Sequence, residues 1–197
     1  MDNEAGIETH PFTPFIPQNA KILMLGTFPP KPVRWAMEFY YPNRINDMWR
    51  IMGLIFYGDK NTFWNEEKKT FRLDEIKRFL TEKGIAMFDT ATRIRRLKDN
   101  ASDKFLEIVE ETDIMKMLAE NPTIEAIVTT GEKAASVVAE ITSTEIPKVG
   151  EFIIFKANNS ELRHYRLPSS SRAYPLALEK KAEAYKGMFR ELSYAVH

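Results

Sequence analysis

Short apolar runs alternate with helical segments along most of this chain, and that alternation limits the folds it can adopt. The runs occupy residues 22–26, 84–89 and 126–130, with a fourth at 152–155 or 163–167. Apolar residues recur at helical spacing over residues 73–83, 113–120, 132–141 and, in a longer amphipathic helix, 176–196. Strands that alternate with helices predict a parallel sheet covered on both faces, with ligands bound at the carboxyl ends of its strands.

The length of 197 residues is enough for one domain with a three-layer core, and two small domains are the less favoured arrangement. Three pairs precede the first apolar run: His10-Pro11, Thr13-Pro14 and Ile16-Pro17. A residue before proline favours extended backbone. We therefore expect residues 1–20 to form an extended lead-in and residues 21–197 to form a single α/β domain.

Composition excludes several classes of function. The 28 Lys and Arg residues balance 28 Asp and Glu residues, so any surface for nucleic acid must be a local patch. The absence of cysteine excludes disulfides, thiolate metal sites and a cysteine nucleophile, and three histidines argue against a His-rich zinc site. No apolar run reaches about 18 residues, and the first four residues are acidic, unlike a signal peptide. We expect a soluble, cytoplasmic protein without cofactor, metal or membrane partner.

Residues 21–49 carry the densest set of candidate ligand contacts. The first apolar run leads into Gly26-Thr27-Phe28-Pro29-Pro30, where a glycine without Cβ and prolines of fixed φ bring backbone close to a ligand. Tyr40 and Tyr41 offer a stacking face or serve as core or surface aromatics. Asn46, which we place in the first turns of the next helix, offers a donor and an acceptor or serves only as a structural hydrogen-bonder. This combination suits a flat polar ring such as a nucleobase.

The segments that leave three predicted strands should meet at one edge of a parallel sheet. They are residues 26–30, 89–93 and 167–172. Asp89 ends its strand with a carboxylate that either caps a helix or turn or accepts a hydrogen bond from the N–H of a base edge. Residues 167–172, Leu-Pro-Ser-Ser-Ser-Arg, form a hydroxyl-rich turn that either caps the last helix or contacts phosphates.

Two basic runs border the same predicted edge. They are Arg93, Arg95, Arg96 and Lys98, and then Arg163, His164 and Arg166. Basic runs are usually solvated faces, but local phosphate binding on a neutral protein would show this pattern. Arg93, the first of them after Asp89, is therefore a candidate DNA contact.

Five motifs occur in order from residue 21 to the last helix. They are Gly26-Thr27-Phe28-Pro29-Pro30; Tyr40-Tyr41 with Asn46 and Met48-Trp49; residues 84–89; Gly131-Glu132-Lys133-Ala134; and residues 167–173. As an ordered set they resemble the uracil-DNA glycosylase superfamily, most closely its hypoxanthine-DNA glycosylase branch. The resemblance implies a three-layer α/β/α sandwich with a central four-stranded parallel sheet, which acts on a base flipped from DNA without metal or organic cofactor.

The resemblance also implies roles for individual residues. Tyr41 would stack on the flipped base, Asn46 would orient or activate the water, and Asp89 would read the base. The base would also lie against the backbone of Gly26, Thr27 and Phe28. The phosphates and the gap in the duplex would be contacted by the last turn, Pro168, Ser169, Ser170, Ser171 and Arg172.

Three positions depart from the pattern of the superfamily. Phe28 stands where many members have an Asp or Asn that aligns the attacking water, so the chemistry must rely on Asn46 or be absent. Leu167 stands where many members have His or Asn to polarise a base carbonyl. Pro30 replaces a glycine next to the substrate. These departures leave the activity and the preferred base open.

The sequence favours a monofunctional DNA glycosylase of base-excision repair that hydrolyses the N-glycosidic bond of uracil or hypoxanthine. Its partner would be DNA that contains the deaminated base, and no obligate protein partner is evident. Two alternatives stay open. One is a catalytically weak or inactive module on the same scaffold that binds damaged or single-stranded nucleic acid. The other is a hydrolase of free nucleosides or nucleotides, which lacks the support of a glycine-rich, phosphate-binding helix start.

Overall fold

The computed structural model describes residues 6–97 and 105–197, and Lys98 of the first basic run lies outside these ranges. Along the described chain the elements are β1 (Ile7–Thr9), β2 (Ile22–Gly26), α1 (Met48–Tyr57), β3 (Trp64–Asn65), β4 (Thr70–Phe71), α2 (Leu73–Lys83), β5 (Ile85–Asp89), β6 (Ala91–Arg96), β7 (Leu106–Glu111), α3 (Ile114–Glu120), β8 (Ala126–Thr130), α4 (Glu132–Thr142), β9 (Phe152–Ala157), β10 (Ser160–Leu167) and α5 (Leu178–Glu191).

The central sheet has the order β5-β2-β8-β10-β9, with the first four strands parallel and β9 antiparallel at one edge. Every residue of β2, β5 and β8 is buried, as expected for parallel strands that helices cover on both faces. The prediction of four parallel strands is therefore correct for the parallel part, but the complete sheet has five strands.

The fifth strand arises from a hairpin, which contains both of the segments that the sequence offers as alternatives for the fourth strand. Asn158 and Asn159 join β9 to β10, and both adopt positive φ, at 53° and 61°. A two-residue loop with this backbone matches the twist of antiparallel strands, and asparagine tolerates it better than most residues. Residues 152–155 and 163–167 are consequently neighbouring strands of one sheet.

The helices form two groups. Phe56 of α1 contacts Phe79 of α2 and Phe189 of α5, with ring centroids 5.0 and 4.9 Å apart, whereas α3 packs on α4. The chain moves from β2 to β5 in one direction along the sheet and from β8 to β10 in the other. Because parallel crossovers are right-handed, this reversal places α1 and α4 on opposite faces and makes β2 and β8 the switch point of the sheet. Open α/β sheets bind ligands at that point.

A smaller antiparallel sheet has the order β1-β6-β7, and its central strand β6 follows β5 directly along the chain. Its inner face packs around Ala91, Ile94 and Leu106, with Phe28 against them. Its outer face carries ion pairs, because Arg93 faces Glu110 at 3.7 Å and Arg95 faces Glu107 at 2.8 Å. The first basic run is therefore partly matched by carboxylates of the neighbouring strand.

The segment before β2 is anchored at two places. β1 pairs with β6, and the backbone of Phe15 exchanges two hydrogen bonds with Met87 of β5, at 3.0 and 2.9 Å. This segment therefore lies along the outer edge of β5. Within the described residues no helix is both long and apolar enough to cross a membrane.

Candidate functional site

A cavity of about 1210 Å³ opens at the carboxyl ends of the parallel strands, beside the switch point. It brings together the three segments that the sequence predicted to meet there. The predicted site residues that line it are Gly26, Thr27, Phe28, Tyr41, Asn46, Asp89, Ser169, Ser170, Ser171 and Arg172. Arg93 and Pro168 do not line it: Arg93 lies on β6, and the carbonyl of Pro168 accepts a hydrogen bond from the Tyr185 hydroxyl at 3.0 Å.

The last residue of β2, Gly26, allows two polar side chains to converge on the cavity floor. Gly26 is the register partner of Asp89. A Cβ placed on Gly26 would lie 2.6 Å from Asp89 Oδ1 and 3.4 Å from the Tyr41 hydroxyl oxygen. A side chain is therefore excluded at this position, and a bound ring can approach both groups closely.

Asp89 is buried and held by a residue that sequence reasoning did not select. His10 Nε2 lies 2.9 Å from Asp89 Oδ2. An ionised carboxylate only accepts hydrogen bonds, so His10 Nε2 carries the hydrogen and donates. Since β6 begins two residues after Asp89, this side chain caps no helix. Its second oxygen, Oδ1, remains at the cavity wall beside Gly26.

An aromatic shell surrounds His10. Its ring centroid lies 4.8 Å from that of Phe88 and 5.1 Å from that of Phe28. The Nδ1 atom lies within hydrogen-bonding distance of the backbone of Phe12. These contacts fix the imidazole and therefore the direction of its donor toward Asp89. The two partners are 79 residues apart, so no local pattern connects them. The sequence contains no sign of this pair beyond a histidine in the proline-rich lead-in.

Tyr41 lines the cavity, whereas its neighbour Tyr40 belongs to the core. Tyr40 is 2 % exposed and donates its hydroxyl hydrogen to the carbonyl of Thr13 at 2.8 Å. Tyr41 is half-buried, adopts a positive φ of 51°, and shares a hydrogen bond of 2.8 Å with the Thr130 hydroxyl. Left-handed backbone is costly for a bulky residue and often marks a functional position. The Tyr41 ring is thus held at both ends.

Asn46 lies before helix α1. The prediction that it lies in the first turns of this helix is therefore wrong. Its side-chain oxygen Oδ1 accepts a hydrogen bond from the backbone N–H of Met48 at 2.9 Å, and its backbone forms an antiparallel bridge with Ser171. The interpretation of Asn46 as a structural hydrogen-bonder is therefore correct in part. An amide oxygen has two lone pairs, so Oδ1 retains one for a water molecule in the cavity.

The serine turn is tied to α1 and α5 through a buried carboxylate, Asp47. The backbone N–H of Asp47 donates to the Ser170 carbonyl at 2.8 Å. Its carboxylate accepts from Arg172 Nε at 2.9 Å and from Lys181 Nζ at 3.2 Å, and Lys181 also donates to the Ser171 carbonyl at 2.7 Å. Burial alone would raise the pKa of Asp47, but the hydrogen bonds from Arg172 and Lys181 outweigh it and hold that pKa below its usual value.

Sequence reasoning missed both Asp47 and Lys181. Lys181 is fully buried although lysine is almost never buried without a partner. The available signal was its spacing, since Lys181, Tyr185 and Phe189 recur every four residues along the apolar stripe of α5. A lysine on such a stripe requires a buried carboxylate opposite it.

The start of helix α4 completes the wall of the cavity. Gly131, with φ of 112°, lies close to Ser169, and Glu132 and Lys133 also line the cavity. The motif 131–134 is thereby placed beside the serine turn. Among the described residues no group of three His, Asp or Glu side chains is arranged to hold a metal ion.

Comparison with known proteins supports the fold. No protein-family model and no curated protein matches this sequence. The chain is similar in structure to a "putative Uracil DNA glycosylase" from Methanosarcina acetivorans, which was solved by solution NMR. The TM-score is 0.61 at 22% sequence identity, and the match covers 95% of this chain and 99% of the other. The two chains share a fold over nearly their whole length.

Proposed function

We propose that this protein is a DNA glycosylase that hydrolyses the N-glycosidic bond of uracil or hypoxanthine flipped out of DNA. The observation that carries the proposal is the convergence of three side chains on one cavity: the Tyr41 ring, the Asp89 carboxylate and the Asn46 amide. The similar fold of a protein described as a glycosylase supports the same conclusion. We place the protein in the uracil-DNA glycosylase superfamily, nearest its hypoxanthine branch.

The carboxylate of Asp89 can separate uracil from cytosine and hypoxanthine from adenine for a specific chemical reason. Uracil at N3 and hypoxanthine at N1 each present an N–H beside a carbonyl, whereas cytosine and adenine present a bare acceptor nitrogen at those positions. Asp89 Oδ1 accepts from the N–H of the deaminated bases and repels the lone pair of the parent bases. His10 keeps Asp89 oriented for this contact. Tyr41 stacks on the ring, and its bond to Thr130 keeps it in place.

Asn46 supplies the acceptor for the water. Its free lone pair orients a water molecule, while its bond to the Met48 N–H fixes the amide. Bond cleavage leaves negative charge on the departing base, and the backbone around Gly26, Thr27 and Phe28 is placed to stabilise that charge. Fixed donors of this kind contribute about 3 kcal/mol each in known enzymes. The backbone and hydroxyls of Ser169, Ser170 and Ser171, with Arg172, contact the phosphates.

The test is a panel of labelled single- and double-stranded oligonucleotides that carry uracil, hypoxanthine or an undamaged base, followed by alkali. We expect strand cleavage at uracil or hypoxanthine and none at undamaged bases. The Asn46→Ala variant should lose turnover by about 100-fold or more while it binds DNA as before. No product from either base, in either strand form, would end the proposal of catalysis.

A second candidate is favoured by the chemistry of two residues of the cavity, Asn46 and Phe28. Asn46 Oδ1 already accepts one hydrogen bond, and the Phe28 side chain has no group that could align water. A protein built this way would bind damaged or single-stranded DNA without cleaving it. It would show salt-sensitive binding with no product in the same panel.

A further inference from the structure

A second, smaller cavity of about 320 Å³ lies beside the main one. Ile45 and Arg172 line both cavities, so they form the ridge between them. Ile45 is 53 % exposed. A ligand that extends from the main cavity across this ridge passes over the smaller cavity. We call the smaller cavity the arginine groove. Its remaining lining residues are Arg44, Arg50, Asn61, Trp64, Glu66 and Phe71.

Two of the three arginines in this groove are held by one atom. Arg50 Nη1 lies 3.0 Å from Asp47 Oδ1, and Arg172 Nε lies 2.9 Å from the same oxygen. Because Asp47 is buried and is also bonded to Lys181, it keeps both guanidinium groups side by side. Within the described chain, each arginine uses one nitrogen for this contact. Its other N–H groups can donate hydrogen bonds to a ligand.

The third arginine, Arg44, contacts an aromatic ring and a carboxylate in the same groove. The guanidinium carbon of Arg44 lies 4.7 Å from the centre of the Trp64 ring, and its Nη2 atom lies 3.7 Å from Glu66. Glu66 is also paired with Lys69, as Asp47 is with Lys181. Five cations therefore share two carboxylates around this groove, and the surplus charge is positive.

We propose that the arginine groove binds a backbone phosphate of the DNA strand next to the flipped nucleotide. Guanidinium groups match phosphate oxygens with paired N–H donors, and arginines fixed in advance lose little freedom on binding. Three arginines and one carboxylate, Glu66, line the groove, and it continues into the base cavity. An anionic ligand therefore fits the groove best. This inference rests on the proposed function, because it requires that DNA occupies the main cavity.

The test measures binding and requires no product. The probe is a labelled duplex with a tetrahydrofuran abasic analogue, titrated with the Arg44→Gln/Arg50→Gln variant at several NaCl concentrations. Each lost phosphate contact lowers the slope of log affinity against log salt by about 0.9. Between about 50 and 200 mM salt, the wild type should therefore lose about 3.5-fold more affinity than the variant. Arg78→Gln on α2 is the matched control for Arg44→Gln alone, since it also removes one positive charge but lines neither cavity.

The position of the phosphate is tested by replacing single linkages near the lesion with neutral methylphosphonates. One replacement should weaken wild-type binding and have a smaller effect on the double variant, which keeps only Arg172 of the three arginines. Arg44→Gln alone serves as a second variant, because Arg44 is exposed and its loss should not disturb folding. Equal slopes for the wild type and both variants would overturn the inference and leave the proposed function intact. No binding to any DNA would instead remove the proposed function, and with it this inference.

Discussion

The buried ion pair of Asp47 and Lys181 predicts that substitutions of its two members will change stability by different amounts. Their side chains are only 6% and 1% exposed, with a separation of 3.2 Å. The Asp47→Asn substitution keeps the size of the side chain but leaves the Lys181 ammonium with the Ser171 carbonyl as its remaining partner. A buried charge that loses its counter-ion costs about 3–5 kcal/mol of unfolding free energy. We expect a loss of that size.

The reverse substitution should cost much less. Lys181→Met removes the buried ammonium and its desolvation penalty, and Asp47 keeps Arg50 and Arg172 as partners. We expect a loss of about 1–2 kcal/mol, since hydrogen bonds to a charged group are given up while the buried cation disappears. The double variant should be more stable than Asp47→Asn alone, because it contains no unpaired buried charge. The pair should therefore show a coupling energy of about 2 kcal/mol.

The measurement is equilibrium unfolding in urea at about pH 7, followed by tryptophan fluorescence, with the slope compared among variants. The folded-state pKa of Asp47 is depressed, so the stability that its charge contributes is present above the unfolded pKa and is lost as pH falls through the lower folded pKa. The gap between wild type and Asp47→Asn should therefore close in strong acid. The reasoning fails if Lys181→Met is as destabilising as Asp47→Asn, or if the two losses add in the double variant.

Three further predictions concern single positions. Gly26→Ala should reduce turnover at least about tenfold and destabilise the fold by about 1–3 kcal/mol, because the new Cβ would lie 2.6 Å from Asp89 Oδ1. Gly187→Ala in α5, with nothing within 4 Å of its Cβ, is the matched control and should stabilise the protein in urea unfolding. His10→Phe keeps a ring but removes the donor to Asp89, so it should reduce kcat/KM for the damaged base about 10- to 100-fold. The His10→Gln variant should recover part of this loss. Unchanged kinetics would show that Asp89 needs no such partner. Burial lowers the pKa of His164 from 6.5 to about 4. The free energy of unfolding should therefore fall by about 3 kcal/mol as pH drops from 6.5 to 4. A His164→Leu variant should lack this loss when unfolding is measured across that range.

Local pattern was sufficient for most elements of the fold. Helix α2 occupies the predicted residues Leu73–Lys83, because Ile76, Phe79 and Leu80 recur at helical spacing and Gly84 ends the helix with positive φ. The inner strands were visible as short apolar runs because both of their faces are buried. The fifth strand was missed as a separate element because Phe152 and Ile154 at the sheet edge are partly exposed, so β9 resembles an alternative to β10.

The second basic run shows how far charge patterns can mislead. His164 is fully buried in β10 and bonds to Thr129 at 3.0 Å, so it contributes no cation to the cavity edge. Arg163 covers the ring of Phe152, 5.1 Å away, and Arg166 faces Glu132 at 3.6 Å. Strand alternation sends neighbouring side chains to opposite faces, and sequence proximity alone did not reveal which of them reach solvent.

The sequence by itself determined that Gly26, Asp89 and the serine turn would gather at one edge of a sheet, because parallel strands place their carboxyl ends together. Tyr41 and Asn46 were assigned to the same site from residues 21–49 and from the resemblance. Only the tertiary structure decided which partners hold these groups. His10 reaches Asp89 across 79 residues, and Lys181 reaches Asp47 across 134. Periodicity reports the environment of a residue within a few turns or strand positions, whereas a buried ionic contact depends on how distant segments pack.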